Sequence, residues 1–532
     1  MKLKRILAFT ASVSLVVGML SGCQGSGNSV KDTGKDTAVI QGTQSQSGTE
    51  PGVADDKEKQ SGNIDFTEAP VNLVVEVVDL GMEMKDVQEV TDAVNEILLE
   101  KINCTIQFQQ IHIADHATKV ALAVAGGEKL DVIMTGRTTS LPGMVSDGTL
   151  IPLDELIAQR GQVFTEKASE LLDGLKINGS IYAVPGNLYV SAARGISYNA
   201  DLAAELGVNF SDVKSLDDLA AIGQQLVDGG SGVYLATRGD GSIGAFSNFY
   251  SMELFGGDMI YGGIMNPVES DEIVNVFKSE EYKHYCHVMK EWADKGFTPS
   301  DSMVSGENGQ DVFRNGICLI QVANDISPLG LADANKGSFE VKQVAMTENV
   351  LATSMIQEVG WGITTTCERP DKAMDFLNLM YSDGELANLL YWGIEGKHYE
   401  KVSDMIIKYP DGVDSNSVGY RTVFNRWGDA AQIYSLQPTG EELYGNMKPY
   451  MEASKKSKTL GYVFDAEPVS TEIAAVSSVI SEYRPSLECG QVKDVDAALD
   501  EFNEKLDGAG INMIIEENQK QLAQWLEQNG TK

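Results

Sequence analysis

A chain of 532 residues with 42% hydrophobic and 7% aromatic content is globular and long enough for two or three domains. Its 41 basic and 77 acidic residues give a formal net charge of −36. Nucleic-acid binding depends on basic faces that displace counterions, so this balance argues against a nucleic-acid partner. It also argues against binding an anionic membrane surface by charge.

Residues 1–22 have the composition of a secretory signal peptide. Three basic residues precede an apolar run from Ile6 to Leu20, which is too short and too often interrupted to serve as a membrane span. The segment Leu20-Ser21-Gly22-Cys23 resembles the bacterial lipobox, in which the cysteine thiol is diacylated and becomes the new N-terminus after cleavage. The resemblance implies lipidation of Cys23 and anchoring on the extracytoplasmic face of the membrane of a Gram-positive-type cell.

Residues 23–66 are predicted to form a disordered linker. From Gln24 to Ile64 the chain consists mainly of Ser, Gly, Thr, Asp, Lys and Gln and has no aromatic residue, so it cannot bury enough apolar surface to become ordered. A flexible tether of about 40 residues has a root-mean-square span of roughly 35 Å.

Ordered structure is predicted to begin with the strand Val71–Val78. A helix over 85–102, a strand over 104–113, a helix over 116–125 and a strand over 130–134 are expected next. This β-α-β-α-β order predicts a parallel sheet, and ligands of such sheets bind beyond the carboxyl ends of the strands. Arg137 and Thr138 follow the third strand and are therefore candidate ligand contacts.

Beyond the Cys23 lipobox the chain has five widely spaced cysteines, an odd number that cannot form a complete disulfide framework. Most lie in apolar segments, where a cysteine usually behaves as a small buried hydrophobe. No hydrolase elbow, phosphate-binding loop or zinc-protease helix motif occurs, and the sequence predicts no metal, no cofactor and no enzymatic activity.

A set of short motifs, spread in order over most of residues 67–526, resembles the extracellular solute-binding proteins of ABC importers (family 1, similar to maltose-binding proteins). The matching segments are Met144–Leu153, Asn178–Pro185 (Asn-Gly-Ser-Ile-Tyr-Ala-Val-Pro), Gly195–Leu202, Phe313–Gly316, Val359–Ile363 and Arg369–Phe376. Tyr391–Tyr399 and the region from Gly461 to Trp525 are similar to a subgroup common in gut Firmicutes, which has a distinctive C-terminal domain of the DUF3502 type.

The resemblance implies an α/β fold of the type II periplasmic-binding-protein class, with two lobes, a central cleft and crossing hinge segments. We expect residues 67–190 and 362–428 in the first lobe, and residues 194–358 and 429–532 in the second, with a family-specific C-terminal region at about 440–526. The crossings are predicted near 189–193, near 359–363 and within 428–460, and glycines such as Gly360 and Gly362 suit a hinge.

Sugar receptors stack Trp or Tyr on the apolar face of a sugar ring and direct polar side chains at its hydroxyl rim. On this basis Trp361 is a candidate either for ligand contact or for packing between the lobes. Trp427, within a polar stretch, is a candidate for a loop that faces the cleft.

Four polar or aromatic residues complete the predicted site. Asn187 and Tyr189 occupy the first crossing, where related receptors carry a ligand contact. Asn324 and Asp325 follow the predicted strand Ile317–Val322 at its carboxyl end.

The function implied is a monomeric, lipid-anchored receptor that captures a small solute, an oligosaccharide in the favoured case, and delivers it to ABC permease subunits. Two alternatives stay open. The solute could belong to another class, such as a peptide or an amino sugar, or the protein could be a surface lipoprotein that binds glycans in adhesion.

Overall fold

The computed structural model describes residues 64–81, 83–236, 246–257, 259–301, 309–334, 339–422 and 425–530. The predicted signal peptide, Cys23 and all of the linker up to residue 63 lie outside the described residues. Within the described ranges, no helix is long and apolar enough to cross a membrane.

The strands of the described chain alternate with helices in its first third and are short elsewhere. They are β1 (Val71–Asp79), β2 (Cys104–His112), β3 (Val132–Gly136), β4 (Lys176–Ile177), β5 (Ser180–Ile181), β6 (Val184–Pro185), β7 (Ala193–Asn199), β8 (Met252–Phe255), β9 (Gly262–Met265), β10 (Ile273–Val274), β11 (Ile320–Ile326), β12 (Val341–Ala345), β13 (Val350–Leu351), β14 (Val359–Ile363), β15 (Glu400–Lys401), β16 (Ile406–Lys408), β17 (Ser435–Leu436) and β18 (Lys455–Lys456).

The α-helices include several long ones that cover the sheets and three at the C-terminus. They are α1 (Val87–Ile102), α2 (His116–Ala125), α3 (Leu141–Ser146), α4 (Asp154–Arg160), α5 (Gln162–Lys167), α6 (Ser169–Asp173), α7 (Ala200–Glu205), α8 (Leu219–Asp228), α9 (Glu280–Lys295), α10 (Gly309–Arg314), α11 (Pro328–Ala334), α12 (Thr353–Ile356), α13 (Pro370–Ser382), α14 (Gly384–Trp392), α15 (Glu442–Glu452), α16 (Ser470–Glu488), α17 (Val495–Ala509) and α18 (Ile511–Asn529).

The first lobe is built on a five-stranded sheet in the order β2-β1-β3-β14-β6. Strands β1, β2 and β3 are parallel, as the β-α-β-α-β pattern predicts, whereas β14 runs antiparallel to β3 and β6. The β-branched run of β1 suits a strand covered on both faces, and Val75 and Val77 are completely buried. A continuous apolar core forms around this sheet from residues between Leu73 and Leu188 and between Leu351 and Leu460.

The second lobe has its own apolar core, formed by residues between Ile196 and Ile320 and between Tyr462 and Leu522. Its two small sheets have the orders β11-β7-β12 and β10-β9-β8. The C-terminal helices α16, α17 and α18 pack on this core, with Val476, Phe502 and Ile514 fully buried. The three helices are separated at Gly490 and Gly510, both in the left-handed conformation.

Three chain segments connect the two cores, and they lie side by side. The backbones of Ala192 and Val350 exchange hydrogen bonds of 3.2 and 3.1 Å, which joins the first segment to the second. Strand β13 pairs in parallel with β18, which joins the second segment to the third. We call residues 192, 350–351 and 455–456 the hinge ribbon.

The positions of two crossings differ from the prediction. Strand β14, expected as a crossing, lies inside the first-lobe sheet, and the chain returns from the second lobe earlier, at about residues 347–350. A Cβ on Gly360 would lie 2.7 Å from Thr135 Oγ1, so this glycine permits close packing between strands rather than rotation.

The last crossing lies near the end of the predicted range. Ile433, Leu436 and Leu460 belong to the first core, and the second core resumes at Tyr462. The predicted assignment of all of residues 429–532 to the second lobe therefore needs correction, because Ile433, Leu436 and Leu460 are buried in the first-lobe core. Leu443 and Met447 of α15 instead form a small separate cluster with Leu329 and Ala332 of α11.

Candidate functional site

A cleft with two adjoining cavities lies where the two cores meet. The larger cavity has a volume of about 280 Å³ and the smaller about 70 Å³. The side of the second lobe contributes Arg194, Asp325 and Leu329 to the larger cavity. The first lobe and the connecting segments supply the rest of its lining, which is Arg137, Gly186, Asn187, Tyr189, Val190, Ala192, Ser354, Met355, Glu358, Val359 and Arg426.

Arg137 lines the cleft from the loop after β3. Its Nη2 lies 3.0 Å from Glu358 Oε1, and its backbone N–H donates to the Glu358 carbonyl at 2.9 Å. Gly136 fits this approach because it has a φ of +102° and any Cβ there would lie 2.2 Å from the Glu358 oxygen. The glycine therefore fixes an arginine and a carboxylate together at the edge of the cleft.

Asn187 and Tyr189 form the wall next to the first crossing. Asn187 Oδ1 accepts a hydrogen bond of 3.0 Å from the Tyr189 backbone N–H, which fixes the turn between them. Burial raises the pKa of the Tyr189 phenol to about 12, with a smaller contribution from the negative charge of Asp429. Tyr189 is therefore a neutral hydroxyl at physiological pH, able to donate and to accept a hydrogen bond.

Arg194 lies at the start of β7, directly after the first crossing. Its backbone is held by Thr347, whose Oγ1 accepts from the Arg194 N–H at 2.8 Å, and by Met346, whose N–H donates to the Arg194 carbonyl at 2.8 Å. Burial lowers the pKa of its guanidinium, and the charges of Glu358 and Asp325 oppose that shift. Arg194 is thus a half-buried cation that lines the cleft.

Asp325 reaches the cleft at an irregularity in β11. The register of β11 on β7 shifts between Ala323 and Ile326, so one extra residue is accommodated there. Such bulges redirect side chains, and Asp325 lines the larger cavity, with its Oδ1 accepting a hydrogen bond from Ser327 Oγ. Asn324 lies in the same strand, but its side chain is outside the described part.

The smaller cavity has an aromatic wall. Trp392 Nε1 donates to the Tyr434 carbonyl at 2.9 Å, and Trp427 Nε1 donates to Thr422 Oγ1 at 2.9 Å, so both indole N–H groups are satisfied within the protein. The aromatic lining residues are Tyr391, Trp392, Trp427 and Tyr434. The two cavities share Gly186, Asn187, Leu329 and Arg426, so the aromatic wall continues into the polar one.

Trp427 is held by its neighbours in sequence and by a second indole. Arg426 and Gly428, on either side of it, have φ angles of +55° and +77°. Its ring stacks on that of Trp361 with centroids 4.4 Å apart and planes 21° apart. Both indoles are 0% exposed and belong to the first-lobe core, and Trp361 Nε1 donates to the Arg426 carbonyl at 3.0 Å.

The predicted residues thus separate into groups. Arg137, Asn187, Tyr189 and Asp325 converge on the larger cavity, and Trp427 lines the smaller one. Trp361 belongs to the first-lobe core, because the pairing of β14 turns its ring inward. This corrects the expectation that Trp361 contacts the ligand or packs between the lobes.

Thr138, by contrast, is directed away from the cleft. Its hydroxyl is hydrogen-bonded to Nδ1 of the buried His116, whose Nε2 lies 2.6 Å from Oε1 of the buried Glu76. Its adjacency to Arg137 in sequence therefore does not make it a lining residue.

Sequence reasoning missed several residues of the cleft, notably Arg194, Glu358 and Arg426. A signal for Arg194 exists in the sequence, since it is a single charge in the otherwise uncharged crossing strand Ser191–Asn199. Arg426 and Glu358 adjoin Trp427 and β14, and only the fold brings them near Asn187.

Comparison with protein-family models identifies two matches. The model described as bacterial extracellular solute-binding protein matches residues 83–387. A domain of unknown function, DUF3502, matches residues 458–527, which include the three C-terminal helices almost entirely.

Known proteins of Streptococcus pneumoniae are similar to most of the chain. A carbohydrate ABC transporter substrate-binding protein of this organism is 24% identical over 465 residues, which are 85% of this chain and 91% of the relative. The crystal structure of its N-glycan transport solute binding protein (NgtS) has a TM-score of 0.75 at 20% identity, and covers 86% of this chain and 99% of that one. The same protein in complex with Man1GlcNAc has a TM-score of 0.71 at 21% identity, with coverage of 86% and 99%. The likeness bears out the predicted type II two-lobed fold.

Proposed function

This chain belongs to the family of bacterial extracellular solute-binding proteins, and from that premise we propose that it captures an oligosaccharide and delivers it to an ABC importer. The partners in this proposal are the sugar, the permease subunits and, through a lipid on Cys23, the membrane. The receptor is expected to act as a monomer and to carry out no covalent chemistry.

The observation that carries the proposal is the composition of the cleft. An aromatic wall adjoins a wall of amide, hydroxyl, carboxylate and guanidinium groups, with Trp392 and Tyr434 on one side and Asn187, Tyr189 and Asp325 on the other. A sugar ring has an apolar face of C–H bonds and a rim of hydroxyls, so it needs both walls at once. A purely apolar solute would use only one of them.

The comparisons support the same class of ligand. The streptococcal relative is described as carbohydrate-binding, and the neighbouring NgtS structure was solved with the glycan Man1GlcNAc. An extracytoplasmic location accords with the family, and the lipobox at Leu20–Cys23 supplies the means of staying there. The linker predicted to follow it would let the two lobes reorient near the membrane.

In this proposal capture is coupled to lobe closure. The cleft has walls from both lobes, and three hydrogen-bonded segments of chain connect the lobes in the part that the structure describes. A sugar bound first to one lobe gains contacts with the other when the ribbon twists, so its higher affinity for the closed state shifts the population toward closure. The permease then recognises the closed form.

A glycan screen tests the proposal. A ligand that binds only the folded state raises the melting temperature by mass action, so one class of oligosaccharide is expected to raise it and to give a saturable heat of binding. A response to peptides or amino sugars instead would replace the oligosaccharide by that class. Release of reducing sugar from a polysaccharide would contradict the receptor function altogether.

Measuring the uptake of the bound glycan by cells distinguishes a transport function from an adhesion function. Cells that lack the gene should lose import of the bound glycan while still attaching to surfaces coated with it. Loss of attachment with unchanged import would favour the adhesion alternative.

A further inference from the structure

The charge of the cleft is opposite in sign to that of the molecule. Among the residues that the structure describes, every basic residue lining the two cavities is an arginine, and these are four of the ten arginines in the chain. The acidic lining residues are Asp325 and Glu358. In a chain of net charge −36, a cleft with an excess of cations is a local reversal that composition alone does not produce.

The use of arginine rather than lysine indicates which chemical groups these cations bind. Guanidinium groups present a planar fork of donors that matches a carboxylate or a sulfate, and they bind such groups with paired hydrogen bonds. A neutral sugar needs donors but no positive charge, and Asn or Tyr supplies those at a smaller desolvation cost.

Arg194 carries the argument furthest. Its position is fixed by backbone hydrogen bonds to residues 346 and 347, and no ion pair of its guanidinium is found within 4 Å among the described residues. The nearby carboxylate of Glu358, by contrast, is paired with Arg137 at 3.0 Å. A half-buried cation with no ion-pair partner gains from an anion placed beside it.

We propose that the oligosaccharide captured by this receptor is anionic, and that Arg194, with Arg426 and Arg137 beside it, receives its acidic group. This inference rests on the proposed function and names the class of glycan. The aromatic wall near Trp427 would hold a sugar ring next to the charged residue, since the two cavities share Arg426 and Asn187.

The test uses the full chain from residue 23 with Cys23→Ser, so that the protein is soluble. It measures binding of glycan pairs that differ only in a terminal uronic or sialic acid, and of sulfated counterparts. We expect the acidic member of a pair to bind more tightly and its affinity to fall as sodium chloride increases. The carboxylated and sulfated arms identify which anion fits.

Variants assign the effect to the cleft. Arg194→Gln should weaken binding of the acidic glycan about 10- to 100-fold, the range for one hydrogen bond to a charged group, while Arg194→Lys should retain the preference for acidic glycans. Lys520→Gln removes the same charge from an exposed site on α18 and should change nothing. Glu358→Gln changes a side chain that is 60% exposed, and it should strengthen binding of the acidic glycan by removing a repulsive charge. This variant tests the proposal if Arg194→Gln fails to fold.

The outcomes separate the two proposals. Equal affinity for neutral and acidic partners, with no salt dependence, would overturn the anionic preference and leave the glycan receptor intact. Binding of no glycan of either kind would overturn both.

Discussion

At the scale of single residues, the stacked indoles of Trp361 and Trp427 both belong to the first-lobe core, and Trp427 also borders the smaller cavity. Trp361 pairs with Met134 through its backbone, and its ring stacks on that of Trp427. The stack fixes the plane of Trp427. Because Trp427 is 0% exposed, it supports the cavity wall from within, and a wall fixed in this way lowers the entropy cost of binding.

Replacing Trp427 by Phe should reduce both stability and binding. The smaller ring loses part of the stack with Trp361 and the hydrogen bond to Thr422, so the free energy of unfolding should fall by on the order of 1–3 kcal/mol. Glycan affinity should fall as well. Trp292→Phe, in the second-lobe core, is the matched control, and equal effects of the two variants on affinity would contradict a role for Trp427 in the cleft.

His398 gives the fold a dependence on pH. Burial lowers the pKa of its imidazole below the ordinary value of 6.5, although Asp86, 3.2 Å from Nε2, opposes the shift. The unfolded chain therefore binds a proton more readily than the folded one, and this residue's contribution to stability is lost as the pH falls from about 6.5. Urea unfolding between neutral and mildly acidic pH should show that decline, and His398→Gln should reduce its slope.

At the scale of elements, the glycines of β14 explain how the cleft wall is packed. Gly360 and Gly362 let β14 approach Thr135 and Leu150 within distances that no Cβ would permit. Their pattern in the sequence is equally typical of a hinge, which is why the crossing was predicted there. Only the register of β14 on β3 distinguishes the two uses.

Gly360→Ala should therefore destabilise the first lobe, by on the order of 1–3 kcal/mol for overpacking, because its Cβ would meet Thr135 Oγ1 at 2.7 Å and the Val184 carbonyl at 3.0 Å. Gly445→Ala is a control of opposite sign. Gly445 is exposed within α15 with no atom within 4 Å of an added Cβ, so alanine should stabilise the helix by about 0.5–1 kcal/mol. Thermal unfolding of the two variants measures both effects, and a neutral Gly360→Ala would contradict the packing account.

The sequence predicts elements better than it predicts the cleft, for a physical reason. Strands β1, β2 and β3 are evident from local patterns of apolar residues, which depend on near neighbours alone. The prediction that most of the cysteines are buried in apolar segments likewise agrees with Cys104, Cys286 and Cys318, which are buried. The cleft instead joins Asn187 to Arg426 and Arg137 to Glu358 across more than 200 residues, and no local pattern encodes such pairs.

At the scale of the whole molecule, the C-terminal helices belong to the second lobe and are not an appendage. Their buried side chains complete a core begun by residues 196–320, and Asn275 Nδ2 donates to Asn503 Oδ1 at 3.2 Å across that junction. The DUF3502 match at 458–527 begins at the last crossing. In this protein the domain is therefore an integral part of the second lobe.

Cys23→Ser should release the protein into the medium without changing its glycan affinity. The lipid is the proposed attachment, and the linker separates it from the lobes, so neither stability nor the cleft depends on the thiol. Fractionation of cells and binding by the released protein measure the two results. A variant that stays in the membrane fraction would contradict the lipobox assignment.

The hinge ribbon has a consequence for how the lobes move. Because its three segments are hydrogen-bonded to one another at Ala192, Val350 and Lys455, rotation about one of them strains the hydrogen bonds to the next. We therefore expect the three segments to twist together when the lobes change their angle, as one ribbon rather than as three separate hinges.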